Sequence, residues 1–474
     1  MTKQISAERT GALDHFFRIT ARGSTLSREF RGGLTTFVAM AYIVMLNPLI
    51  LGSSADATGA QLSPEQLTTA TAATAGVMTV LMGLIGNAPL ALAAGLGVNA
   101  VVAFTIAPEM TWAQAFGLVV LEGALIVALA LSGVREKIIN AIPDPLKVAL
   151  TVGIGLYIAL IGLVSAGFVS RVPDAKDTDV PVQMGEGGHL AGIPIAVFCL
   201  TLLVTLGLLA RRTPGAILIG IAFGTVLSMI VNSTLQVAPS EWGTIEPKLP
   251  EQLVTTPDFG LFGQVDLFGG FAAAGGIAAT VFLFTLVLSG FFDAMGTITS
   301  VSSHAGLTRD GKVEGMGRIL AVDGVAAAAG GFSGSSPNTV FLESAAGVSE
   351  GARTGLASVV TGLLFCATLL FTPLATVVPA QAAAPALVIV GGLMMSQVGS
   401  IPWNDPDYVL PAFLTIAVIP FTYMITNGIG AGLIAFTAIK LARGKPQEIG
   451  WLVGILSVVF ALYFGVEGVQ TLLA

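Results

Sequence analysis

Charged residues are scarce in this sequence. Only 10% of its 474 residues are Asp, Glu, Lys or Arg, against about a quarter in a soluble domain, and mean hydropathy reaches +0.86. A chain so poor in charge cannot cover a water-exposed surface, so it reads as a polytopic membrane protein with the lipid bilayer around it. Cysteine is nearly missing too. Cys199 and Cys366 sit in the apolar runs AVFCLTLL and LLFCATLL, without CxxC spacing or a neighbouring His, which argues against a disulfide framework or a zinc site. The three histidines, His15, His189 and His304, fall in terminal or loop stretches. Carboxylates rather than imidazoles would therefore carry any proton through the interior. With no Walker A, G-x-S-x-G or HExxH pattern, ATP-driven pumping and hydrolysis are disfavoured, and no cofactor is expected. A net charge of -7 without clustered Lys and Arg argues against a nucleic-acid partner.

What is present is a long series of apolar stretches. They recur at about 33-51, 71-88, 113-133, 145-167, 191-210, 214-231, 275-296, 317-332, 354-376, 383-398, 408-425 and 428-441. Two shorter Gly/Ala-rich pieces, about 91-106 and 339-349, bring the tally to fourteen. A further run at 451-472 follows the basic KLARGKPQEIG, and its course stays open. Residues 1-31 carry Lys3, Arg9, Arg18, Arg22, Arg28 and Arg31 without the apolar core and cleavage site of a signal peptide. The positive-inside rule places them in the cytoplasm. Alternating sides from there collects Arg135, Lys137, Arg211, Arg212, Arg309, Lys312, Arg318, Arg353, Lys440, Arg443 and Lys445 in the inner loops. The outer loops at 52-70, 107-112, 330-338 and 377-382 have no Lys or Arg, and those at 168-190 and 232-270 are mainly acidic.

Glycine is abundant, 58 residues, and frequent within the spans (GIGLYIALIGL, GIGAGLIAF). Such spans pack backbone against backbone and suit helices that slide or rock. The two short pieces, PLALAAGLGVNAVVAFT and SPNTVFLESAAGV, each follow two spans early in a half of the chain and each hold one polar residue, Asn99 or Glu343. Seven segments per half would turn the second copy upside down relative to the first, as in transporters whose broken elements meet at mid-membrane.

Ionisable groups in the membrane interior are costly, by about 2.5-3.5 kcal/mol on insertion scales, so those present should face a cavity or a partner. Four qualify: Glu122, Asp293, Asp323 and Glu343. Asp293 lies in VLSGFFDAMGTITSVSS, with Thr297 four residues on and so on the same helical face. It reads either as a ligand carboxylate or as a buried acid satisfied by hydroxyls. Glu343 follows SSPNTVF, where Pro337, Thr339 and Val340 favour extended backbone, and precedes a helix-favouring stretch. Irregular backbone at membrane depth is tolerated where it lines a cavity or is buried in protein. Glu343 is thus either a ligand acid at the start of a half-helix or only a cap. Asn99 holds the matching place in the first half, as a polar contact or a packing residue. Asp323 and Glu122 are weaker candidates, and Glu122 reads as a partner of a neighbouring helix.

The blocks REFRGGLTTFVAMAYIVMLNPLIL, ALAAGLGVNAVVAFT, IPDPLKVALTVGIGLYIALIGL, FFDAMGTITSVSS, ESAAGVSEGARTGLASVVTGLLF and PAFLTIAVIPFTYMITNGIGAG run in order from about residue 28 to 442. In combination they resemble the nucleobase:cation symporter-2 family, and within it the azaguanine-resistance-like purine permease branch. The resemblance implies an all-α membrane fold of fourteen segments in a seven-plus-seven inverted repeat, with segments 3 and 10 each a short strand plus half-helix. Residues 31-140 (segments 1-4) and 271-376 (segments 8-11) would form a core domain. Residues 141-232 (segments 5-7) and 377-442 (segments 12-14) would form a gate, and the core would move against it like an elevator. A cytoplasmic segment at 1-30, an extracytoplasmic loop at 233-270 and a C-terminal segment at 443-474 complete the chain.

By the same resemblance Asn99, Asp293 and Glu343 look like the polar contacts to a purine base, Thr297, Thr339, Phe341 and Leu342 like their neighbours in the site, and Asp293 and Glu343 like the proton-coupling acids. A carboxylate accepts from two ring N-H groups at once, which fits a guanine or hypoxanthine edge. The implied protein is a homodimeric proton symporter in the plasma membrane that imports guanine, hypoxanthine or adenine. Xanthine, urate or uracil uptake, or a receptor that binds purine without moving it, are the alternatives. Two departures touch the implied pocket. Gly290 stands where the branch commonly has an acid, and Asn338 and Val340 replace typical residues before Glu343.

Overall fold

A computed structural model describes residues 12-132, 143-172, 182-242, 245-250, 252-309 and 312-473. Lys3, Arg9, Arg135 and Lys137 lie outside the described residues. Ten helices among the described residues are long and apolar enough to cross a membrane, and three shorter apolar ones, Leu96–Glu109, Pro406–Thr422 and Trp451–Gly465, accompany them. Met316–Ser333, expected as a span at 317-332, is helical throughout, but Arg318, Asp323 and its glycines leave it less apolar. It packs against the helices Pro64–Leu81 and Trp112–Ser132. The run at 451-472 is also helical, Trp451–Leu473. It docks on helix Ile425–Ala442, where the hydroxyls of Thr437 and Ser457 lie 2.7 Å apart.

The helices begin and break where local chemistry dictates. Thr25 and Thr354 cap the helices Leu26–Met40 and Gly355–Thr368 with their hydroxyls. Proline stands in the first turn of Pro64–Leu81, Ile193–Ala210 and Pro406–Thr422, where its missing N-H costs nothing. The first span pauses at Ala41-Tyr42 before resuming as Ile43–Gly52. Pro48 stands inside the resumed helix, where its missing N-H leaves the Val44 carbonyl without the usual amide partner.

The helices gather into two groups. One combines the Leu26–Met40, Pro64–Leu81, Trp112–Ser132, Met316–Ser333 and Gly355–Thr368 helices. The other combines Asp144–Ser165, Ile193–Ala210, Ala216–Leu235, Ala380–Met395, Pro406–Thr422 and Ile425–Ala442. Glycines set both. A Cβ on Gly324 would lie 2.8 Å from the Val127 amide in the first group, and one on Gly155 would lie 2.7 Å from the Gly391 carbonyl in the second. Helix Gly276–His304 touches members of both.

Two short strands meet beside the first group. Leu92–Ala94 and Asn338–Val340 pair antiparallel, with Leu92 opposite Val340, Ala93 opposite Thr339 and Ala94 opposite Asn338. The ladder is extended at both ends, by Phe341 N donating to Ala91 O and Gly95 N donating to Pro337 O, each at 2.9 Å. Each strand runs directly into a short helix, Leu96–Val101 or Ser344–Ser349. All six strand residues are buried, and backbone groups turned away from the partner strand meet side chains instead of lipid or water, Leu92 N donating to Thr79 Oγ1 at 2.9 Å and Val340 N to Asp323 Oδ1 at 3.1 Å. Two further ribbons, Val169–Arg171 with Val182–Met184 and Thr308–Arg309 with Lys312–Val313, lie in connections and were not expected from the sequence.

Candidate functional site

The paired strands end at a cavity of about 720 Å3 between the two helix groups, within the roughly 300-1,000 Å3 usual for small-molecule sites. Its wall on the first-group side comes from Tyr42, Leu96, Gly97, Asp293, Thr297 and the stretch Val340-Glu343. The facing wall is mainly apolar, with Ile217, Val390, Leu393 and Met394, plus the hydroxyl of Thr151. The exposed residues Arg212, Glu350 and Gln397 also line it and mark where it opens.

Glu343 is placed by the change of backbone that the sequence announces. Pro337, Thr339 and Val340 hold the chain extended, and the amide of Ala346 then closes the first helical turn on the Glu343 carbonyl at 2.9 Å. Its carboxylate accepts a hydrogen bond from the Tyr42 phenol at Oε1 and is also met by its own backbone N-H. A carboxylate has about four lone-pair sites, so acceptor capacity remains for a ligand. Asp293 and Thr297, one turn apart on helix Gly276–His304, point into the same cavity, and Asp293 is exposed to it. The two carboxylates are close enough to repel each other. Phe341 and Leu342 complete the wall beside Glu343.

Five of the seven residues singled out from the sequence are thus together: Glu343, Asp293, Thr297, Phe341 and Leu342. Asn99 and Thr339 stand apart from the cavity wall. Asn99 is fully buried, and its amide donates to Asn47 Oδ1 at 2.9 Å. Asn47 in turn donates to Thr71 Oγ1 at 2.8 Å and Ser335 Oγ at 3.0 Å, so Asn99 belongs to a polar network that fastens the two halves behind the strands. Thr339 points to the opposite face of its strand from Val340, as strand alternation requires, and donates to Asp323 Oδ1 at 3.0 Å. Asp323 also accepts from Val340 N at 3.1 Å, which ties the cavity-lining strand to helix Met316–Ser333.

Tyr42 is the site residue that the sequence alone does not single out. Its only local signal is a phenol in a span that pauses before a proline, AYIVMLNP, since a buried tyrosine hydroxyl needs a partner. That partner is 301 residues away. As a chemical device the cavity offers one half-occupied carboxylate, a second carboxylate, a threonine hydroxyl and apolar walls. These can hold a small planar molecule that donates several N-H groups.

The model of the Permease family, Xan_ur_permease, matches residues 27-431 of this chain. Guanine/hypoxanthine permease PbuO of Bacillus subtilis (strain 168) is 37% identical over 457 residues, covering 95% of this chain and 99% of PbuO. Adenine permease AdeQ of Escherichia coli (strain K12) is 34% identical over 465 residues, covering 97% of this chain and 98% of AdeQ. Among solved structures, the transmembrane domain of a cyanobacterium bicarbonate transporter, BicA, has a similar fold, with a TM-score of 0.56 at 19% identity over 87% of this chain and 97% of that one. The family match spans both paired strands and every cavity acid, and with it the chain belongs to the nucleobase-ascorbate transporter family: it is a membrane permease and not an enzyme.

Proposed function

We propose that this protein imports a purine nucleobase, guanine, hypoxanthine or adenine, by proton symport. The observation that carries the proposal is the cavity in which Asp293 and Glu343 face one space at the ends of the crossed strands. Relatives named as guanine/hypoxanthine and adenine permeases, matched over nearly their whole length, support the purine. A neutral purine supplies the N-H donors that two carboxylates require, whereas a small anion would be repelled by them.

In this reading the helix group bearing the strands is the core and the other is the gate, together fourteen segments in two inverted halves. The antiparallel strand pair, one strand from each half, supports that symmetry. The core carries Glu343, Asp293 and Thr297 past the gate, with Phe341 and Leu342 packing on the base, while Asn99 and Thr339 brace the strands. The exposed Arg212 at the cavity mouth, read with the positive-inside rule, supports an inward-open conformation with the N-terminal segment cytoplasmic. Multi-pass insertion in the plasma membrane and pairing into a homodimer complete the proposal.

The test is uptake of labelled hypoxanthine into proteoliposomes under an imposed pH gradient, challenged by guanine, adenine, xanthine, urate and uracil. Accumulation that purines compete and a protonophore collapses is the expected result. Accumulation indifferent to the protonophore removes the proton, competition by uracil or urate alone replaces the substrate, and binding without accumulation makes the protein a receptor.

A further inference from the structure

Glu122 lies outside the cavity and outside every role given above. It is fully buried in helix Trp112–Ser132, and neither of its carboxylate oxygens receives a hydrogen bond. On one side it meets helix Gly276–His304 at Gly290, so closely that a Cβ there would lie 2.5 Å from Glu122 Oε1. Asp293 follows three residues later on that helix. On the other side helix Met316–Ser333 comes close enough, through Gly324, to bring Asp323 within electrostatic range of Glu122. Asp323 in turn feels Asp293. The acids therefore form a chain, Glu122 to Asp323 to Asp293 to Glu343, running from the helix interior to the cavity.

The charged groups that face Glu122 from both packed helices are acids: Asp323, and Asp293 beyond it. The one cation on these helices, Arg318, stands in the first turn of Met316–Ser333, away from it. None of the four acids is in an ion pair among the described residues. A carboxylate with no donor, no cation and an acid for a neighbour is costly as an ion, whereas a carboxylic acid is far less so. The missing side chain at Gly290 is what gives this group its room. A buried carboxyl that favours its protonated form, packed against a helix that carries a cavity carboxylate one turn further on, is suited to taking up and passing on a proton.

We propose that Glu122, backed by Asp323, is the proton-carrying acid of the transport cycle, leaving Asp293 and Glu343 to hold the purine. This rests on the proton-symport reading above. A proton drawn from water on the outer side passes through Asp293 and Asp323 to the Glu122 carboxylate and neutralises it, so the core crosses the membrane midplane carrying less charge. On the inner side the proton returns through Asp323 and Asp293 to cavity water. The restored Glu122 carboxylate then repels Asp323, which loosens its bonds to Thr339 and Val340 and with them the wall around the purine.

The decisive variant is Glu122→Gln, which keeps shape and removes the titratable proton. In the full-length reconstituted protein, hypoxanthine binding is expected to stay within twofold of the unmodified chain and purine exchange to persist. Accumulation driven by a pH gradient falls at least tenfold, and the external alkalinisation that accompanies uptake disappears. Gradient-driven accumulation equal to the unmodified chain overturns the proposal, and so does a parallel loss of binding. Gly290→Ser tests it from another helix: a hydroxyl beside Glu122 stabilises its ionised form, so the pH of half-maximal uptake moves down by roughly one unit. An unmoved profile counts against the proposal. If the unmodified chain accumulates no base of the panel, the transport reading itself fails.

Discussion

Asp407 and Glu122 are both buried carboxylates on helices, yet their surroundings differ in every respect. Asp407, at the start of helix Pro406–Thr422, is gripped by Lys440 Nζ at 2.7 Å and by the Arg443 guanidinium, and Lys440 is shared with Glu448 at 2.5 Å. Tyr408 and Phe436 stack their rings within reach of the same ammonium. Among the described residues Glu122 has no donor, and Glu343 has a phenol and its own backbone N-H but no cation. The second helix group thus holds Asp407 as a fixed ion, neutralised within a few ångströms. Glu122 and Glu343 have no ion pair among the described residues. Compensated charge is a fastening, because removing either partner leaves the other stranded. Uncompensated charge is an unmet demand for a proton or a ligand.

The largest effect expected from this contrast is at Glu343. Glu343→Gln loses the charge that strengthens each N-H contact by about 1.5-3 kcal/mol, and uptake of labelled purine should fall by about 100-fold or more. The melting midpoint in detergent should hardly move, since no cation depends on Glu343. A large drop in midpoint with intact uptake would reverse the contrast and make Glu343 the fastening. Asp407→Ala should do the opposite. It strands Lys440, which is only 3% exposed, and should lower the midpoint on the order of 5 °C while uptake per folded molecule holds. Glu448 remains to take part of the charge, so collapse of the fold is not expected.

Tyr42→Phe refines the contrast at Glu343 itself. The phenol occupies one oxygen of Glu343, so its loss frees the carboxylate but also removes what orients it. One hydrogen bond to a charged group at this size gives roughly a tenfold rise in KM for purine, measured with uptake at saturating substrate nearly unchanged. An equal fall in KM would show that the phenol competes with the purine rather than positioning its acceptor.

How far all this could be read in advance depends on the distance over which each feature is encoded. The spans are local, and each of the twelve long apolar stretches falls on a helix. The strand and half-helix around Glu343 are local too, because Pro337, Thr339 and Val340 bias the backbone within a few residues of it. The pairing of Leu92–Ala94 with Asn338–Val340 is encoded only in the matched positions of the two pieces. Side-chain direction is harder. Asn99 and Thr339 are polar residues in the right elements, but the rotation of a short helix and the alternation of a strand turn them towards Asn47 and Asp323. The Tyr42 bond to Glu343 and the Lys440 bond to Asp407 join residues far apart in sequence and leave no local pattern. Glu122 was visible as a charge in an apolar run. Its lack of partners is a property of what surrounds it, which no single stretch records.

A third kind of acid closes the contrast from its weakest side. Asp56, in the connection after the first span, has neither a cation nor a ligand. Its Oδ1 accepts from Thr58 N at 2.8 Å, Thr58 Oγ1 at 2.6 Å and Ala60 N at 3.0 Å, and its Oδ2 accepts from Trp112 N at 3.1 Å. Burial pushes its carboxyl up, but these hydrogen bonds outweigh burial and hold it below the usual carboxylate range. A carboxyl lowered on folding contributes stability that is present above its unfolded value, roughly 4, and lost as pH falls through the lower folded value. Asp56→Asn should therefore lower the melting midpoint by roughly 1-2 °C near neutral pH, and the gap between variant and unmodified chain should narrow as pH drops below about 4. A gap that stays constant across that range would mean that the Asp56 charge takes no part, and that only the shape of its turn matters.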